Sequence, residues 1–190
     1  MLASRGLDVV GVDPAAASLD VARSKPGADR VQWLLGDATT LPPLQVDLAT
    51  MTGNVAQVFL TDHEWLATLH GVRDALRPAG RFVFEVRDPS REPWREWTRD
   101  GTRERVDVTG AGMIDHWVDV TAVDGQLIRF TGVVIFEGSG DVINSDSTLR
   151  FREREEIETS LQSAGFALLG VRDAPDRPGR EFVFVAERPA

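Results

Sequence analysis

Apolar positions follow two rhythms along this chain, and the change between them falls near residue 88. Before it, short unbroken apolar runs alternate with stretches of helical spacing. LDVVGV (7–12) is bounded by Gly6 and by Asp13-Pro14, RVQWLLGD spans 30–37, and VDLATMT spans 46–52. Runs without polar alternation suit parallel strands covered on both faces. Between them, AAASLDVARSK (15–25) sets Ala15, Leu19 and Ala22 at helical spacing and ends at Pro26-Gly27. In TDHEWLATLHGVRDALRP (61–78), Trp65, Leu66, Leu69, Val72 and Leu76 mark one helix face, with Thr61 or Asp62 as N-cap. RFVFEV (81–86) reads as the fourth strand. This alternation predicts a parallel sheet with right-handed crossovers.

After residue 87 the rhythm becomes two-residue alternation. PSREPWREW (89–97) is polar with two tryptophans. RERVDVTG (103–110), IDHWVDVTA (114–122), LIRFTGVVIFEG (127–138) and VINSDSTLRF (142–151) follow, rich in Val, Ile, Thr and Phe and broken by AG, DG and GSG turns. They predict an antiparallel meander set onto the α/β body. REREEIETSLQSAGF (152–166) returns to helical spacing, and FALLGVRD (166–173) and REFVFVAE (180–187) close the chain as two strands. The predicted organisation is a single domain over residues 1–190, with 89–151 as an inserted β region.

Composition narrows the function. The chain has 190 residues, and 21 Lys and Arg stand against 30 Asp and Glu, a formal net charge of -9. Such a surface repels phosphate backbones, so no nucleic-acid partner is expected. The arginine-rich stretches 87–105 and 150–155 interleave acids with their bases. Cysteine is absent, which excludes disulfides and thiolate chemistry. Three histidines, His63, His70 and His116, make no zinc pattern, and no metal is expected. No apolar run has transmembrane length and no signal peptide opens the chain, so a cytoplasmic protein with no membrane partner is the expectation.

The candidate chemistry lies at strand ends. Asp13 and Asp37 close two successive predicted strands, 24 residues apart. In an open α/β sheet, ligands bind at that edge, and an acid there accepts from ribose hydroxyls or an exocyclic amine. Each acid alone also serves as a turn or cap residue. Together they point to nucleoside binding.

VVGVDPAAASLDVAR, VQWLLGDATTLP, VDLATMTGNVAQVF and ALRPAGRFVFEVRDP, in that order and spacing, resemble successive motifs of the class I S-adenosylmethionine-dependent methyltransferases. The resemblance covers residues 2–88 and resumes with RFREREEIETSLQSAGFALLGV and EFVFVAERP. It implies a Rossmann-like sheet, mostly parallel, with a reversed strand in a carboxyl-terminal hairpin, and S-adenosylmethionine as cofactor. Asp13 would bind the ribose hydroxyls with Pro14 near the adenine. Gly36, Asp37 and Ala38 would read the adenine edge. Thr52, Gly53 and Asn54 would form the loop below the sulfonium. The implied reaction is in-line methyl transfer to an N or O nucleophile of a small molecule, with residues 89–151 as its cap. Arg87, Trp94, Trp97 and Trp117 are the candidate substrate contacts. His63, Glu64, Glu85 and His116 are conceivable bases, none of them assigned.

The family's glycine-rich first motif would lie before residue 1. The resemblance therefore implies an amino-terminally truncated chain with its first strand missing, as a fragment or from a misplaced start, and leaves its activity open. Unpaired edges would then favour a homo-oligomer, through the meander or the opened sheet. Two other readings stay open: a nicotinamide-dependent oxidoreductase, which also places an acid after its second strand, and a non-catalytic interaction module using the meander as a docking surface.

Overall fold

The computed structural model describes residues 2–190. Strand β1 (Val9–Asp13) leads into helix α1 (Ala16–Arg23) and returns to β2 (Val31–Leu35), which pairs with β1 in parallel register, Val9 opposite Val31 and Asp13 opposite Leu35. β3 (Val46–Met51), α2 (Asp62–Ala75) and β4 (Leu76–Arg87) form the next crossover unit, again with parallel strands. The helix of this unit starts where local chemistry dictates. The Thr61 hydroxyl accepts from the Glu64 amide, and the Glu64 carboxylate accepts from the Thr61 amide, which makes a complete capping box.

The polar segment after β4 forms short 3-10 turns and one helical turn, α3 (Arg99–Thr102). Four antiparallel strands follow in sequential order: β5 (Glu104–Val108), β6 (Gly112–Asp124), β7 (Leu127–Phe136) and β8 (Val142–Arg150). Helix α4 (Arg154–Ser163) then leads to β9 (Ala167–Asp173) and β10 (Glu181–Glu187). β10 runs antiparallel to both β9 and β4, so the expected reversed hairpin is present. The parallel body is divided, with the unpaired edges expected of an opened sheet. β1 and β2 form a two-stranded sheet, while the larger sheet has the order β3-β4-β10-β9. Among the described residues, β1 pairs only with β2 and β3 only with β4, which leaves one edge of each without a partner.

The core lies on the larger sheet. Trp65, Leu69 and Val72 of α2, Phe82, Phe84 and Val86 of β4, Ile157 and Leu161 of α4, and Phe184 of β10 form one buried cluster. The rings of Phe82 and Phe84 stack at 4.7 Å, those of Phe84 and Phe184 at 5.1 Å, and Trp65 meets Phe84 edge-on at 5.6 Å.

The antiparallel sheet is tied to this body by two arginines at its last strand. Arg150 donates to the Leu60 carbonyl and pairs with Asp62 at 2.8 Å. Arg152 is buried, donates to the carbonyls of Phe59 and Thr61, and lies 5.7 Å from the Trp65 ring. Burial holds its pKa down to about 10, so it stays charged at neutral pH. Among the described residues, no helix is long and apolar enough to cross a membrane.

Candidate active site

The two acids that end the first pair of strands share one rim. Asp13 lies opposite Leu35, and the Gly36 amide donates to the Asp13 carbonyl at 3.1 Å, so the turn carrying Asp37 begins directly beside Asp13. One carboxylate oxygen of Asp13 accepts from the Ala15 amide at 2.8 Å. That oxygen is occupied locally, and the other has no partner among the described residues. Asp37 accepts from both the amide and the hydroxyl of Thr39, at 2.8 and 2.6 Å. These bonds, the hydroxyl first, hold its carboxyl below the ordinary carboxylate value.

Two glycines fix this turn. Gly36 has φ +146°, and a Cβ there would meet the Thr40 hydroxyl at 2.4 Å. Gly71 of α2 presses against the next residue, because a Cβ on it would lie 2.0 Å from the Ala38 carbonyl oxygen. The sequence marks Gly71 only as a neutral helix position. Its role becomes visible only once α2 lies against the Asp37 turn. Pro14 is exposed beside Asp13 and opens the way into α1.

A second group forms at the carboxyl end of β3. After Thr52, Gly53 takes φ +72° and Asn54 takes φ +60°. The Gly53 amide donates to Glu85 of β4 at 2.8 Å. Asn54 is buried and donates through Nδ2 to Glu181 at 3.1 Å, while its Oδ1 has no hydrogen-bond partner. No hydrogen bond or ion pair joins this loop to Asp13 or Asp37 among the described residues.

Beside the loop a cavity of about 510 Å³ opens at the end of β4, between the segment that follows it and the β9–β10 connection. Arg87, Trp97, Arg177 and Glu181 line it. Arg87 donates to Gln57 at 3.1 Å and lies 5.3 Å from the Trp97 ring centre. Burial lowers its pKa, and the charges of Glu181 and Glu85 oppose that shift. Trp97 is held in place because its carbonyl accepts from the Val120 amide of β6 at 3.0 Å.

The other candidate contacts disperse. Trp94 meets Phe151 edge-on at 4.7 Å, and Trp117 is buried under Arg99 with its indole donating to Asp119. Asp88 turns away from Arg87 to cap the following turn through Ser90. His63 and Glu64 lie exposed in the first turn of α2, and His116 is 3.8 Å from Glu104 in the antiparallel sheet. Sequence reasoning missed Gln57 and Glu181. Both are buried, and each keeps one polar atom without a partner, Gln57 Nε2 and Glu181 Oε2. A buried Gln and a strand-initial Glu carry no local signal, because only the pairing of β10 with β4 brings Glu181 opposite Arg87.

Acceptors dominate the first two groups: two strand-end carboxylates and an unpartnered amide oxygen. Ribose hydroxyls, an adenine amine and an α-ammonium are all donors, so the residues present fit S-adenosylmethionine.

Comparison with known proteins agrees. Residues 1–80 match the family model described as a methyltransferase domain. No curated protein matches the chain in sequence. Among solved structures, the CcbJ methyltransferase from Streptomyces caelestis is 21% identical, with a TM-score of 0.76 over 100% of this chain and 78% of its own. CalS10 from Micromonospora echinaspora, an amino pentose methyltransferase solved with S-adenosylmethionine bound, is 22% identical, with a TM-score of 0.70 over 98% and 76%. An S-adenosylmethionine-dependent methyltransferase from Clostridium acetobutylicum is 13% identical, with a TM-score of 0.75 over 97% and 76%. Residues 1–80 thus resemble a methyltransferase domain in sequence, and nearly the whole chain shares the fold of S-adenosylmethionine-dependent methyltransferases.

Proposed function

We propose that the protein transfers a methyl group to an N or O nucleophile of a small molecule held in the cavity beside Arg87. The observation that carries this reading is the shared rim of Asp13 and Asp37, two acceptors on adjacent parallel strands joined through the Gly36 amide. Asp13 offers its free oxygen to the ribose hydroxyls beside Pro14. Asp37, kept ionised by Thr39, accepts from the adenine amine, with Gly36 and Ala38 along the ring edge. The Thr52–Asn54 loop, braced by Glu85 and Glu181, borders the amino-acid end. S-adenosylmethionine held by these residues would supply an electrophilic methyl group on a sulfonium. The protein's task is positioning, with reacting atoms held about 3–3.5 Å apart. The names of structural neighbours support a small acceptor: CalS10 is an amino pentose methyltransferase, and KedS8 from a Streptoalloteichus species is a sugar N-methyltransferase.

The antiparallel sheet, residues 89–151, serves as the acceptor's cap in this reading. A further parallel strand with a glycine-rich turn would complete the cofactor cradle. The edges of β1 and β3 that lack partner strands support that part of the reading.

Calorimetric titration with S-adenosylhomocysteine tests the proposal. Asp13→Ala is expected to weaken binding by about 1–3 kcal/mol, since it leaves ligand hydroxyls unpaired. Unchanged affinity, or preferential binding of a nicotinamide dinucleotide in the same titration, overturns the assignment.

A further inference from the structure

The cavity at the end of β4 is lined by four arginines, Arg87, Arg91, Arg177 and Arg180, in a chain whose acids outnumber its bases 30 to 21. Three of the four are answered by carboxylates. Arg91 lies 3.9 Å from Asp88, Arg180 lies 3.8 Å from Glu96, and Arg177 pairs with Asp176 and Glu181. Arg87 has no ion pair among the described residues. Its contacts are the Gln57 side-chain oxygen and the face of Trp97. It is also the least exposed of the four, and the nearby charges of Glu181 and Glu85 offset only part of the cost of taking it out of water. A guanidinium offers five donors in a planar fork that matches a carboxylate or phosphate.

A second observation points into the same space. Glu181 is 4% exposed and lines the cavity, and its Oε1 is taken by Asn54 and Arg177. Its Oε2 has no partner among the described residues. Buried carboxylate oxygens are almost always hydrogen-bonded, so this one calls for a donor. Glu181 and Arg87 are register partners across β10 and β4, which sets their Cβ atoms about 5 Å apart on one face of the sheet. Side by side, an unpaired cation and an unpartnered acceptor complement one small molecule that carries an anion and, a few bonds away, a hydroxyl or amine.

We infer that the molecule taken up by this cavity is a small organic anion, its carboxylate or phosphate paired with Arg87, its hydroxyl or amine on Glu181, and its body against Trp97. The inference rests on the methyltransferase reading only in calling that molecule the methyl acceptor.

Tryptophan fluorescence titration of the intact chain with mandelate and with 1-phenylethane-1,2-diol tests it, because the two share a ring and a hydroxyl and differ in charge. Mandelate is expected to saturate in the millimolar range, with the diol at least about tenfold weaker. Arg87→Gln is expected to remove that difference. A measurement needing no variant accompanies it: added salt should weaken mandelate binding and leave the diol unaffected. Phenyl phosphate in place of mandelate decides whether the anion is a phosphate or a carboxylate. Equal affinity for mandelate and the diol, no saturable binding of either anion, or discrimination that survives Arg87→Gln overturns the inference. S-adenosylhomocysteine binding is measured in parallel. If it persists while anion selectivity fails, the acceptor class is wrong and the methyltransferase reading stands. If it fails while anion selectivity persists, the reverse holds.

Discussion

The two sheets that carry the candidate site are built to different standards. Strands β4 and β10 bury alternate residues almost completely: Phe82, Phe84 and Val86 on one, Phe184 and Ala186 on the other, all 3% exposed or less. Strands β1 and β2 have no fully buried residue, and Val12 and Leu35 remain exposed although their sequence is as apolar. Unbroken apolar runs suit strands covered on both faces. Here β1 and β2 are packed chiefly by α1. Thus the arginine-lined cavity rests on a rigid floor, whereas the paired acids rest on a ledge that depends on its neighbours. A ligand spanning both would stabilise the ledge most.

That contrast can be broken by mutation. Phe84→Ala removes a ring in contact with Trp65, Phe82 and Phe184, and is expected to cost about 3–5 kcal/mol in denaturant unfolding. Val10→Ala in β1 should cost only about 1 kcal/mol. Equal costs would mean that the ledge is as tightly packed as the floor. Gly71→Ala tests the contact between the two regions. The added methyl would meet the Ala38 carbonyl, so the Asp37 turn or α2 must shift, at about 1–3 kcal/mol. Cofactor affinity should fall with it, which calorimetry of that variant reports.

The smallest effect concerns pH. Asp37 has a depressed folded-state pKa, so its contribution to stability is fully present above the ordinary value of 3.8 and is lost as pH falls through the lower folded value. Thr39→Val removes the hydroxyl bond and should shrink that loss, read as a shallower fall in melting temperature between about pH 5 and pH 3.

How much the sequence revealed divides along the same line. Local rules placed the elements well. The apolar run at 7–12 became β1 at Val9–Asp13, and the capped stretch after Thr61 became α2, because capping and periodicity act over a few residues. The carboxylates Asp13 and Asp37 were legible for the same reason, since strand ends are local features. The opened sheet edges were legible too, from the expected absence of a first strand, but the side-chain partners across the sheet were not, because pairing is chosen between segments far apart in the chain. Glu181 meets Arg87 although the two lie 94 positions apart in the chain, and Gly71 matters only through the Ala38 turn. Of the three tryptophans proposed to line an acceptor site, only Trp97 lies beside Arg87. The spacing of the residues around Trp94 and Trp117 does not distinguish their partners, Phe151 and Arg99.

Arg150 and Arg152 grip three successive carbonyls, those of Phe59, Leu60 and Thr61, on the stretch running from the Asn54 loop into α2. The last strand of the antiparallel layer is thereby riveted a few residues downstream of the Gly53–Asn54 bend. Only a short span of chain separates the layer's anchor from that bend, so in the proposed reading a molecule seated under the layer would be sensed at the bend as a pull through residues 55–58.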